Sequence, residues 1–157
     1  MPNLVRLSHH LPPQQPLPCT GGRMRKLTRR MTSFYESYLR EHDITLTQYS
    51  LLSNLGREPQ TLLQLADRLE TDRTTLTRNL RLLIEQGWVD EVPGTDARQR
   101  RLVLTARGHQ FRPRVHATWQ RAQLALEQQL GRDFVADLNQ RLEDALLRLK
   151  PALAEEN

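Results

Sequence analysis

Apolar residues recur at intervals of three and four along most of this chain, the period of helices that turn one face inward. From about Arg23 to His42, the residues Met24, Leu27, Met31, Tyr35 and Tyr38 make one such stripe and predict a first helix. Arg25, Lys26, Arg29 and Arg30 fall largely off it, as a solvated basic face. Thr45, with Gln48 three residues on, forms a capping box for a second helix. Its inner face is Tyr49, Leu52 and Leu55, and Pro59 marks its end. Thr61 and Gln64 repeat the box for a short third helix with Leu62, Leu65 and Leu69 inward, where small Ala66 allows a close crossing. Glu70, Thr71 and Asp72 break the chain before a fourth helix, Arg73 to Gln86, which Gly87 stops. Leu76, Leu80 and Leu83 bury one side of it, so Arg73, Thr74, Thr77, Arg78 and Arg81 face solvent, with Thr75 beside them.

The period then changes. Trp88 to Val92 and Arg101 to Leu104 read as two short strands around the loop Pro93 to Arg100. Thr105 is an N-cap for a long fifth helix with Phe111, Val115, Trp119, Ala122, Leu126 and Leu130 inward; Pro113 is expected to kink it or disrupt its first turns. Gly131 separates a last helix carrying Phe134, Leu138, Leu142, Ala145, Leu149 and Leu153. These two stripes exceed what a domain of this size can cover, and with the first helix they predict a symmetric homodimer. Ahead of everything, Pro2, Pro12, Pro13, Pro16 and Pro18 exclude a regular helix and predict an extended or disordered arm. The fold class is therefore mostly α with a small β-hairpin wing: a winged helix-turn-helix with long N- and C-terminal dimerisation helices. The expected layout is arm 1–20, dimerisation helix 21–44, winged helix-turn-helix 45–108 and C-terminal dimerisation helices 109–157.

Composition narrows the function. No apolar run approaches the ~20 residues of a membrane span, and the opening lacks a signal-peptide pattern, so no membrane partner and a cytoplasmic protein are expected. The single cysteine of 157 residues excludes an internal disulfide and suits a reducing compartment, while leaving open a bridge between two subunits. A formal charge of +5 favours an anionic partner. Location sharpens this, because Arg68, Arg73, Arg78, Arg81, Arg98, Arg100 and Arg101 all fall within the helix-turn-helix and its hairpin. No acid lies between Arg73 and Ile84, whereas a solvated helix normally mixes both signs. A helix sized for a major groove, followed by an Arg-tipped hairpin, is a device for reading double-stranded DNA. No positioned nucleophile or paired carboxylates stand out, so an enzyme is not expected. His42, His116 and Glu41, with His9, His10 and His109, show no metal-ligand spacing; neither a metal nor a cofactor is expected.

Several strings resemble the multiple-antibiotic-resistance regulator (MarR) family over about Arg23 to Lys150. They are LTQY at 46–49, LADRL at 65–69, LTR at 76–78, LIEQGWV at 83–89, DAR at 96–98 and LTARG at 104–108, in this order and spacing. The resemblance implies a homodimeric transcription regulator, usually a repressor, whose two fourth helices enter successive major grooves of a pseudo-palindromic operator. Arg73, Thr74, Thr75 and Arg78 are then candidates for base edges or adjacent phosphates, and Thr77 and Arg81 for phosphates. Arg98 and Arg100 become minor-groove candidates. The resemblance also implies that Asp72 orients Arg98 and that Asp96 shapes the wing turn.

Two switches suggest themselves. Family members often bind anionic aromatic compounds between the dimer helices and the winged domain. Here Phe34, Tyr35, Tyr38, His42, Tyr49, His116 and Trp119 would line such a pocket, unless they are simply core or interface residues. The other switch is Cys19, where a helix amino end with Arg23 and Arg25 nearby would favour the reactive thiolate. Peroxide sensors of the family place their cysteine at the position of Gly21, with supporting tyrosines at Tyr35 and Arg25, so the match is partial. Cys19 is thus a thiol sensor or an ordinary unpaired thiol. A winged-helix protein that binds DNA or another macromolecule without any effector is the remaining alternative.

Overall fold

The computed structural model describes residues 19–94, 96 and 99–149. Helix α1 (Thr20–Leu39) runs into a 3-10 turn, Arg40–His42, and the chain reverses at Asp43, whose φ is 53°. There follow α2 (Leu46–Asn54), β1 (Gln60–Thr61), α3 (Leu62–Leu69), α4 (Arg73–Glu85), β2 (Val89–Pro93), β3 (Arg100–Leu104), α5 (Ala106–Leu130) and α6 (Arg132–Arg148). The mostly helical fold with a small hairpin is the expected class.

The local signals act where the sequence places them. Both threonine–glutamine capping boxes close: Thr45 with Gln48 opens α2 and Thr61 with Gln64 opens α3. Thr105 caps α5 by accepting from the Gly108 N–H, and its own hydroxyl donates to the Gly87 carbonyl at 2.7 Å. That second bond ties the start of α5 to the end of α4.

Several details differ from expectation. Helix α1 begins at Thr20, earlier than Arg23, with Gly21 and Gly22 in its first turn. Glycine costs only backbone entropy there, and the Cys19 sulfur accepts the Gly22 N–H at 3.3 Å. Helix α2 stops at Asn54, short of Pro59, because Leu55 turns extended and Gln60–Thr61 pairs with β3 as a third strand. Two residues show no alternation, so the sequence carries no signal for it. Pro93 belongs to β2 rather than to the loop; β2 is an edge strand in the order β1-β3-β2, where a missing N–H costs no ladder bond. Finally, α5 continues unbroken through Pro113. Pro113 is exposed, so water can take the His109 carbonyl that its ring leaves without a helical partner.

One core holds the winged unit together. Leu39, Leu52, Leu65, Leu83 and Val115 are fully enclosed in it, and the rings of Trp88 and Phe111 stack at 3.9 Å. A smaller cluster of Tyr35, Ala122 and Leu126 joins α1 to α5. The far ends of the long helices stay uncovered: Phe134 is 57% exposed, Leu147 80% and Leu149 74%.

Candidate nucleic-acid interface

Helix α4 is held by one side and offers the other. Leu76, Leu80 and Leu83 are at most 3% exposed, which fixes the rotation of the helix about its axis. Arg73, Thr74, Thr75, Thr77, Arg78 and Arg81 are all exposed on the remaining face. Thirteen residues give a rod of about 20 Å, a length that fits within a major groove. Asp72 is the N-cap, and its Oδ1 accepts the Thr75 N–H at 2.8 Å. That backbone bond, then the Thr75 hydroxyl, holds the Asp72 carboxyl below the usual carboxylate range.

The cations of this region are not equivalent. Arg81 pairs with Glu85 at 2.8 Å, both well exposed. A surface pair of this kind is weak and can be traded for a phosphate. Arg68 donates to the Asn54 carbonyl at 2.9 Å, tying α3 to the end of α2. Arg112 donates likewise to the Leu55 carbonyl at 2.8 Å. Sequence reasoning missed both anchors, since nothing local marks a carbonyl 57 residues away.

The hairpin is in register from Val89–Leu104 to Pro93–Arg100, which sets Arg100 at its exposed outer end. The turn is closed by Gly94 N–H to the Gln99 carbonyl at 2.7 Å and by Gln99 N–H to the Asp96 carbonyl at 2.9 Å. A Cβ at Gly94 would stand 2.8 Å from the Gln99 oxygen, so the turn needs glycine there. Arg98, and with it the expected contact to Asp72, lies outside the described residues. Arg101, in the central strand, has a buried Nε with no hydrogen-bond partner among the described residues.

The seven suspected effector residues divide into two groups. Tyr49, His116 and Trp119 stack on one another, with the Tyr49 hydroxyl 2.8 Å from His116 Nδ1. Tyr35 stacks on Trp119 at 6.5 Å, and Phe34 bridges Tyr35 and Tyr38. These rings occupy the space between α1, α2 and α5 by packing against each other. Burial pushes the Tyr35 and Tyr49 hydroxyls up from the ordinary phenol value.

His42 instead stands edge-on to Phe111 and joins a polar network. Thr118, 3% exposed, donates to Glu41 Oε1 at 2.6 Å. Its single proton is thereby spent, so His42 Nε2, 2.8 Å away, must be the donor to the Thr118 oxygen. Arg121 donates to the same oxygen and to Glu41. The Thr118 bond, with Arg121 behind it, lowers the Glu41 carboxyl below its usual value. Among the described residues, no three His, Cys, Asp or Glu side chains gather as a metal site.

Cys19 is exposed at the head of α1. Tyr35 lies sixteen positions further along the helix, about 24 Å at 1.5 Å per residue, so Tyr35 of the same chain does not reach it.

A family model described as the MarR family matches residues 42–100. No curated protein matches the sequence. Among solved structures, a cysteine-to-serine mutant of MarR from E. coli complexed with operator DNA is 28% identical with a TM-score of 0.73, over 80% of this chain and 92% of that one. The transcriptional regulator MosR of M. tuberculosis, in complex with DNA, is 30% identical with a TM-score of 0.65, over 82% of this chain and 99% of its own. An S. aureus MepR–DNA complex shares the fold at 19% identity and a TM-score of 0.72, over 83% and 98% of the two chains.

Proposed function

The chain belongs to the MarR family, and from that premise we propose that two copies of it form a sequence-specific reader of duplex DNA that regulates transcription. The observation that carries this is the outer face of α4, where exposed arginines and threonines stand with no acid before Glu85 at the helix's far end, on a helix fixed by three buried leucines. Its two copies address half-sites about 34–36 Å apart on a pseudo-palindromic operator. Arg73, Thr74, Thr75 and Arg78 meet base edges or adjacent phosphates, while Thr77 and Arg81 meet phosphates. Arg98 and Arg100 serve the minor groove, with Asp72 and Asp96 supporting helix and wing. The chain acts as a repressor without catalysis, and it works in the cytoplasm; no described helix is long and apolar enough to cross a membrane.

The test is the ratio of affinities for selected operator and scrambled duplex at fixed salt. A specific reader gives a ratio of ~10³ or more, and Arg78→Ala lowers it by roughly tenfold or more through a lost base contact. Arg81→Ala weakens both duplexes alike and flattens the salt dependence. Equal affinity of the unaltered protein for both duplexes overturns the proposal.

Release by a small aromatic or anionic effector is supported by the concentration of rings between α1, α2 and α5. The second reading, a thiol switch at Cys19, is favoured by that sulfur's exposure at a helix amino end. Cys19→Ser separates the two, because it abolishes peroxide-induced release of DNA and leaves release by an aromatic compound unchanged.

A further inference from the structure

A separate cleft of about 230 Å³ opens between α2 and the turn that joins α3 to α4. Leu51 and Leu76, 2% and 1% exposed, form its floor, and Leu46 and Leu69 its walls. Hydroxyl-bearing side chains make the rim: Thr47 and Ser50 from α2, Thr71 from the turn, and Thr75 from the first turn of α4. None of the residues lining it is charged, although arginines crowd the neighbouring surface of α4. An ion entering such a cleft would give up water without meeting a counter-charge, at a cost a neutral molecule escapes. A cavity of ~150 Å³ holds benzene, so this one suits two fused rings with a hydroxyl or N–H to meet the rim.

The geometry points to a regulatory site here for uncharged, ring-sized compounds of the naphthol or indole class, distinct in place and charge preference from the aromatic column between α1, α2 and α5. Thr75 belongs both to the rim and to the face of α4 that meets DNA. Leu76 belongs both to the floor and to the set that fixes the rotation of that helix. Occupancy therefore bears on the first turn of the recognition helix, and ligand and operator oppose each other reciprocally. This rests on the reading of the chain as an operator-binding regulator.

The probes are 2-naphthol, neutral at pH 7, and 2-naphthoate, its anionic counterpart. Calorimetry on the full chain is expected to show saturable binding of 2-naphthol below about 1 mM and at least ~10-fold weaker binding of 2-naphthoate. Ser50→Phe and the smaller Ser50→Leu fill the cleft from a residue outside the DNA-contacting set, and each weakens 2-naphthol at least ~10-fold. Methyl resonances of Leu46, Leu51, Leu69 and Leu76 shift on titration, a readout that stands even if a filled variant fails to fold. Saturating 2-naphthol raises the apparent operator Kd roughly 5-fold or more. Equal binding of the two probes, unchanged binding in the folded variants, or methyl shifts confined elsewhere overturns the site. Binding in the cleft with unchanged operator affinity overturns its regulatory role. Failure of the unaltered protein to prefer operator over scrambled duplex is a different result: it removes the DNA-reading premise, while the calorimetry still decides whether the cleft binds.

Discussion

Asp72 serves the helix before it serves any ligand. Its carboxylate accepts the Thr75 N–H and sits where the helix dipole favours negative charge. Its pKa is lowered in the folded protein, chiefly by that backbone bond. A group depressed on folding stabilises the fold above its unfolded pKa and loses that contribution as pH falls through the folded value. The prediction is that melting temperature drops below about pH 4 by less in Asp72→Asn than in the unaltered protein, as read by thermal melts between pH 2 and 7. An opposite ordering would falsify the capping role. Arginines show the limit of reading residues singly. Arg68 and Arg78 look alike in the sequence, yet Arg68 is spent on the Asn54 carbonyl and Arg78 stands exposed. Only a partner distant in the chain distinguishes them.

At the scale of elements, the join between α4, β2 and α5 decides how the wing is carried. Gly108 is buried where the first turn of α5 meets the chain at Trp88, and a Cβ there would lie 2.0 Å from the Trp88 carbonyl oxygen. That oxygen also accepts the Thr105 N–H at 3.1 Å, so it cannot simply move away. Gly108→Ala is therefore expected to cost about 1–3 kcal/mol or more, measured by urea denaturation. Gly21→Ala, with open space around its Cβ position, is expected to be neutral or mildly stabilising in the same assay. The helices themselves were legible because capping boxes and leucine spacing are local signals. Strand β1 was not, since its two residues are held only by register with β3.

The whole molecule leaves apolar surface uncovered in a single chain. Phe134 and Leu147 are more than half exposed on α6, and a soluble monomer rarely keeps a large contiguous apolar surface open. Phe134→Glu combined with Leu147→Glu should leave the melting of the winged unit nearly unchanged, because neither side chain is buried within the subunit. The same pair should shift sedimentation from dimer to monomer and reduce operator affinity by about 100-fold or more, as half of the bivalent contact is lost. A variant that stays dimeric would place the subunit contact away from this face.

The sequence by itself determined the order of the helices, the threonine caps of α2, α3 and α5, the inward leucines of α2, α3 and α4, and an outer side of α4 with no acid before Glu85. All of these follow from interactions within a few residues of chain. The tertiary structure alone decided which arginines are consumed as anchors, that six of the suspected effector residues pack ring against ring while His42 joins a polar network, and that a charge-free cleft lies beneath the helix-turn-helix. Those outcomes depend on groups tens of residues apart meeting at a few ångströms, and no periodicity along the chain encodes a distance of that kind.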